Sequence, residues 1–222
     1  MRKFIQLVAL VALVWSGYEL VKWGFSYIQV EQELSEAQHE QYDTLRVTYS
    51  GIVGWLSLEG TRIDNPVMQA KDNEYYLTRN YKGEVSRGGS IYMDYRNKVD
   101  LSDKHTIFYG HVLRNETMFG SLGKFADEGY AKEHSQFLYY NELGEWTLEV
   151  FAAYETTTDF YYIETEFEGS EFAKFLETIQ QKSVIDLDIA VTEDDSIVTF
   201  STCTTSSDDS ERFVVHAKVV KR

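Results

Sequence analysis

The chain opens on an apolar run. From Phe4 to Tyr18 only Gln6, Ser16 and Gly17 interrupt it, and Leu20, Val21 and Trp23 carry it past Glu19. With that extension it reaches the ~20 residues a membrane-spanning helix needs, and Lys22 is long enough to snorkel to the interface. Tyr18, Trp23, Phe25 and Tyr27 have the spacing of an interfacial aromatic belt. Residues 4–24 are therefore expected to lie in a membrane. The small residues of Ala9–Ala12 sit inside the apolar run and not after it, so an uncleaved anchor is favoured over a cleaved signal peptide. Arg2 and Lys3 precede the run, which predicts a cytoplasmic N-terminus and an exported remainder.

Residues 29–48 are polar, helix-prone and free of Gly and Pro, and read as one or two linking helices. After Ser50-Gly51 the pattern changes to short runs rich in Val, Ile, Tyr, Phe and Thr between turn signals. Strands are expected at Ile52–Leu58, Ser90–Met93, Thr106–Tyr109, Trp146–Tyr154, Ile197–Thr202 and Arg212–Val220. Helices are expected at Asp72–Arg79, Met118–Phe125 and Ser170–Lys182, the last with Phe172, Phe175, Leu176 and Ile179 at helical spacing. Many short strands in about 170 residues argue for a mainly β barrel or sandwich with inserted helices. The expected organisation is an anchor at 1–28, a helical linker at 29–50 and one domain at 51–222.

Composition narrows the function. The chain has 222 residues, a net charge of −15 and one cysteine. So acidic a chain repels a phosphate backbone, which argues against nucleic acid as a partner. One cysteine excludes an internal disulfide and any Cys-based zinc or iron–sulfur cluster. In an exported domain it is either a buried structural residue or a reactive thiol.

That residue, Cys203, ends the run Ser196-Ile-Val-Thr-Phe-Ser-Thr-Cys and is followed by a polar loop. In a strand Ile197, Thr199, Ser201 and Cys203 share one face, so the thiol sits where a rigid strand meets a loop. A thiol nucleophile needs a nearby base or cation, because at a pKa near 8.5 little is ionised at neutral pH. His111, after Tyr109-Gly110, and His105 both end or begin a β-run and are the candidate bases. His39 reads as a solvated helix residue, and His134 as a surface or helix-end residue. In the last strand Phe213, Val215, Ala217 and Val219 share the expected core face, and Arg212, Val214, His216 and Lys218 take the other. Arg212 opens that strand after the loop from Cys203. It is either a surface cation or a group that lowers the thiol pKa and stabilises an oxyanion.

These residues together resemble the sortase signature. Thr199-Phe-Ser-Thr-Cys203 followed by Arg212-Phe-Val-Val-His-Ala-Lys is similar to the TLxTC strand end and the arginine-led strand of that family, with Phe200 in place of the usual Leu. Tyr109-Gly-His111 with Met118-Phe-Gly resembles the histidine segment, and Gly89-Ser-Ile-Tyr-Met-Asp-Tyr-Arg-Asn97 resembles a stretch of class B sortases. The resemblance runs from about Gly51 to Arg222 and includes Asn65-Pro-Val-Met-Gln69.

It implies a closed sortase-type β-barrel with helical additions at the N-terminus and before the cysteine strand. It also implies a cysteine transpeptidase: Cys203 attacks a threonine carbonyl in a C-terminal sorting signal, and an amine resolves the thioester. His111 would act as general acid and base and Arg212 as oxyanion stabiliser. The substrate contacts implied are Asn73, Leu77, Thr158, Tyr162, Ile163, Ser201 and Thr202, with Tyr161 leaving the tyrosine register ambiguous. No metal or other cofactor is implied. The implied partners are surface proteins bearing a sorting signal of Asn-Pro-x-Thr type and a peptidoglycan amine acceptor. A pilin lysine acceptor, hydrolysis of the same signal, or an inactive binding module are the alternatives. A papain-type protease does not fit, since its cysteine lies early in the chain on a helix.

Overall fold

The computed structural model describes residues 2–39, 42–203 and 210–222; the polar loop 204–209 and the Cys203 side chain lie outside the described residues. Eight strands form the fold: β1 (Ile52–Leu58), β2 (Asp64–Met68), β3 (Ile91–Met93), β4 (His105–Tyr109), β5 (Gln136–Asn141), β6 (Gly144–Thr157), β7 (Ile197–Cys203) and β8 (Glu211–Lys221). They close into a barrel in the order β1-β2-β3-β4-β7-β8-β6-β5, with β5 returning to β1. Closure leaves no edge strand to pair with another chain. The β2–β3 and β4–β7 pairs are parallel and the rest antiparallel.

Alternation along the strands fills the barrel. Val198 and Phe200 of β7 and Phe213, Val215 and Ala217 of β8 point into the main core. There Phe200 stacks on Phe137 with ring centroids 4.1 Å apart and on Phe108 at 5.6 Å. The opposite face of the same strands carries a second core, closed by α4 (Glu171–Lys182). Its Phe172, Phe175, Leu176 and Ile179 pack with Tyr154, Tyr162, Ile197 and Val214. The expected helix at 170–182 is thus present, with Ser170 as its N-cap residue.

The N-terminal segment is α1 (Arg2–His39), unbroken through residue 28, followed by α2 (Tyr42–Thr48). Val8–Leu34 is long and apolar enough to cross a membrane. Leu45 of α2 is wholly buried against β1 and β2.

Several elements differ from the pattern-based expectation. Asp72–Arg79 holds only a 3₁₀ turn at Tyr75–Leu77, and 118–125 only one at Leu122–Ala126. In the first, Tyr76 O and Leu77 O accept from Ser90 N–H and His111 Nε2–H instead of from a continuing helix, and in the second Phe119 N–H donates to His111 O. Strands β2 and β5 and the short helix α3 (Glu128–Glu133) were not anticipated. Pro66 lies inside β2, where proline argues against a strand.

Candidate active site

Three neighbouring strands set the site. β4 runs parallel to β7 with Tyr109 opposite Ser201, and the Gly110 N–H donates to Ser201 O at 3.2 Å. Two residues further on each chain stand His111 and Cys203. On the other side of β7, antiparallel β8 places Arg212 directly opposite Cys203. The barrel order β4-β7-β8 therefore brackets the cysteine between the histidine and the arginine at one rim. Gly110 is required at the turn, because a Cβ there would meet the Phe119 ring at 2.8 Å.

His111 is partly exposed, and its Nε2–H donates to Leu77 O at 2.7 Å. A carbonyl can only accept, so in the neutral ring Nδ1 is the basic nitrogen. Arg212 Nη1 donates to Glu211 O at 2.9 Å.

A groove of about 280 Å³ crosses this rim. His111, Arg212, Ser201 and Thr202 line one part; Leu77, Tyr109, Thr158, Tyr162 and Ile163 line the rest. A larger cleft, of about 590 Å³, lies between α1 and the barrel, and neither His111 nor Arg212 lines it. Of the two adjacent tyrosines, Tyr162 is buried in the groove wall and shares a 2.8 Å hydrogen bond with Ser201 Oγ, while Tyr161 is 55% exposed. Thr202 Oγ1 is buried with no partner among the described residues. Asn73 does not line the groove. Its Nδ2 donates to Asp94 Oδ2 at 2.9 Å, and its Oδ1 accepts from Tyr95 N–H at 3.1 Å.

Behind the groove stands a network that residue spacing did not single out. The Asp94 side chain is wholly buried and paired with Arg96, whose Nε and Nη2 reach its two oxygens at 2.9 and 2.8 Å. Tyr109 Oη donates to Asp94 Oδ2 at 2.9 Å. Arg96 Nη2 also donates to Ile163 O at 2.9 Å, tying the β6–α4 connection to the β3–β4 connection. Burial alone would raise the Asp94 pKa. Hydrogen bonds from Arg96, Asn73 and Tyr109 outweigh it and hold the carboxyl below its usual range. Burial, then the Asp94 charge, pushes the Tyr109 phenol up, so it stays a neutral donor. The only signal for this pair was its place inside the Gly89–Asn97 segment.

The other candidate base, His105, is buried away from the groove. Its Nδ1–H donates to Glu164 O at 2.6 Å, and Nε2 accepts from Thr199 Oγ1 at 2.5 Å. Thr199 Oγ1 in turn accepts from His216 Nδ1–H at 2.7 Å, and Tyr154 Oη donates to His216 Nε2 at 2.9 Å. Starting from the Glu164 carbonyl, each donor fixes the next, so one proton arrangement satisfies the whole chain. Burial lowers the His105 pKa to about 4 and, with the nearby His105, lowers that of His216. Both rings are neutral structural groups.

Residues 56–220 match the family model for the sortase domain. The sequence is 43% identical to sortase B of Listeria monocytogenes over 196 residues, which is 87% of this chain and 76% of that protein. It is 35% identical to sortase B of Staphylococcus aureus, across 98% of this chain and 96% of that one. Among solved structures, sortase B of Bacillus anthracis in complex with AAEK1 aligns at a TM-score of 0.81 and 43% identity, covering 89% of this chain and 99% of the other. A Staphylococcus aureus sortase B–substrate complex aligns at 0.77 and 37% identity, covering 87% and 94%.

Proposed function

The chain belongs to the sortase family as a class B sortase, and from that premise we propose that it is a transpeptidase that cuts an Asn-Pro-x-Thr type sorting signal after the threonine and joins the protein to a peptidoglycan amine. The observation that carries this reading is the strand register, which brings Cys203 between His111 and Arg212 at the mouth of a groove.

In the proposed reaction the Cys203 thiolate attacks the threonine carbonyl carbon. Arg212 donates hydrogen bonds to the oxyanion as the tetrahedral centre forms. His111, protonated at Nδ1, gives that proton to the departing amine as the peptide bond breaks, leaving a thioester. The acceptor amine then attacks the thioester, His111 takes its proton back, and Cys203 leaves as thiolate. The Nε2–H bond to Leu77 O orients the ring with Nδ1 as the nitrogen that transfers the proton. The signal peptide lies along Leu77, Thr158, Tyr162 and Ile163 and reaches Ser201 and Thr202 beside the nucleophile. Asn73 contributes indirectly, by holding Asp94 and the Tyr95 backbone behind the groove.

Arg2 and Lys3 ahead of the apolar helix support a cytoplasmic N-terminus and an exported barrel. In this reading residues 1–28 anchor the enzyme, 29–50 link it, and 51–222 carry catalysis.

The test uses the full-length protein in detergent with quenched peptides carrying NPxTx and LPxTG variants, with and without an added amine. Mass spectrometry reads the products. An amine-joined product at Thr, lost in Cys203→Ala, is expected, with oligoglycine or diaminopimelate preferred over a pilin lysine. Cleavage indifferent to amine would replace the reading by hydrolysis. A preference for the lysine would replace it by pilin polymerisation.

A further inference from the structure

A membrane helix usually leaves a soluble domain free on a tether, but here α1 enters the barrel's own core. Val30 and Leu34 are buried in the main core cluster, Glu33 accepts from Ser86 Oγ at 2.9 Å, and Glu31 pairs with Arg62 at 2.9 Å. Helix and barrel therefore meet along a fixed line. The depth of that line follows from the apolar run. A hydrocarbon core about 30 Å thick takes about 20 helical residues, which from Phe4 ends at Trp23. Beyond it the aromatic positions Trp23 and Tyr27 fall at headgroup level.

The barrel reaches that level with two cations. The Arg87 guanidinium lies 4.3 Å from the Trp23 ring centre and 5.3 Å from that of Tyr27. Arg114, from a separate turn, lies 5.2 Å from the same Trp23 ring. Both are exposed, and neither forms an ion pair among the described residues. Two like charges gathered on one indole repel each other, and an anion between them offsets that repulsion. Val85, 73% exposed on the turn beside Arg87, adds an apolar tip facing outward. A phosphate oxygen is a strong acceptor for guanidinium forks; Arg87 Nη1 reaches Ser26 Oγ at 3.4 Å, a long contact that leaves its other N–H groups for an anion.

We propose that the turns carrying Arg87 and Arg114 form a seat on the membrane surface, in which the two guanidinium groups clasp anionic phospholipid headgroups around Trp23 and hold the barrel against the bilayer. The seat fixes the tilt of the barrel, and so the direction in which the groove opens relative to the membrane. It rests on α1 being embedded, and is independent of the chemistry at Cys203. An anionic surface attracts such cations over about a Debye length, so the seat weakens with salt.

The full-length protein is reconstituted into nanodiscs of pure phosphatidylcholine and of phosphatidylcholine with phosphatidylglycerol. Hydrogen exchange is then followed by mass spectrometry in peptides spanning residues 82–89 and 112–118. Exchange in both turns is expected to slow several-fold in the anionic discs, while residues 158–170 and 197–203 exchange alike in both. The difference should vanish at 0.5 M NaCl and in the Arg87→Glu/Arg114→Glu double variant, whose peptide-cleavage activity in detergent should be retained. Equal exchange in the two lipid compositions, or a lipid difference that survives high salt, would overturn the proposal. The wild-type comparison decides even if the double variant folds poorly.

Discussion

Arg96 serves three partners at once, the third being Tyr161 Oη, which accepts from Nη1 at 3.3 Å. Its fork neutralises the buried Asp94 carboxylate, and the same Nη2 holds Ile163 O, next to the groove residue Tyr162. Removing it leaves an uncompensated buried charge and frees one groove wall. Arg96→Ala is expected to cost about 3 kcal/mol, the lower end for a broken buried pair because Arg96 is a quarter exposed. Steady-state kinetics should show KM rising about tenfold with a smaller fall in kcat, as befits lost positioning. Arg96→Lys restores charge but not the fork, and should recover stability more than KM. An unchanged KM in Arg96→Ala would sever this residue from substrate binding. The pair also marks a limit of reading residues in isolation. Cys203, Arg212 and His111 stand at strand ends and could be singled out from the sequence. Asp94 and Arg96 lie in an irregular turn whose partners come from distant segments, and no local pattern announces them. Likewise His105 and His111 differ little in sequence context. The family resemblance favours His111, and the β4–β7 pairing shows why: it buries one ring on Thr199 and leaves the other at the groove.

At the scale of elements, legibility followed burial periodicity. β7 and β8 alternate between the main core and the outer core, α4 has one buried face, and their apolar spacing gave them away. β2 failed because Pro66 breaks the strand pattern, and yet it pairs with Trp55 at a position the barrel tolerates. In β5 Phe137 and Tyr139 are buried and their neighbours less so, but the run Phe137–Tyr140 reads as an apolar block without that alternation. The helical spacing at 72–79 and 118–125 gave way to 3₁₀ turns, since segments this short gain little from helix formation and much from tertiary contacts. α4 has a separable energetic role: it closes the outer core over β6, β7 and β8. Ile179 is fully buried there. Ile179→Ala is expected to destabilise by about 2–4 kcal/mol, and to loosen the β6–α4 connection that supplies Thr158, Tyr162 and Ile163 to the groove. Hydrogen exchange should rise in residues 158–182 and far less in β1 and β5. Uniform loosening of the whole barrel would show instead that the outer core is not an independent layer.

For the whole molecule the buried titratable groups set an acid limit. His105 has its pKa lowered from 6.5 to about 4 by burial, and His216 is lowered in the same direction. A histidine held neutral in the fold binds its proton first in the unfolded chain. Stability is therefore full above pH 6.5 and falls as pH drops toward 4, with His105 alone worth about 3 kcal/mol across that window. Asp94 has the same sign at lower pH: its pKa is below the usual carboxylate range, so its contribution is present above about 4 and is lost as pH falls through the folded value. Acid should thus act in two stages, first through the histidine chain behind β7 and then through the clamp behind the groove. Urea midpoints followed by circular dichroism from pH 8 to 4 should decline from about 6.5 downward, before ordinary carboxylates titrate. Thr199→Val leaves His105 Nε2 and His216 Nδ1–H without their shared hydroxyl. It should cost about 1–3 kcal/mol at neutral pH, while the acid decline persists because both rings remain buried. His105→Asn removes one of the two titrating rings and should flatten the decline between pH 6.5 and 4. A midpoint that stays level over that range in the wild-type protein would mean that the rings are protonated without opening the fold. The link from buried histidine to acid sensitivity would then fail.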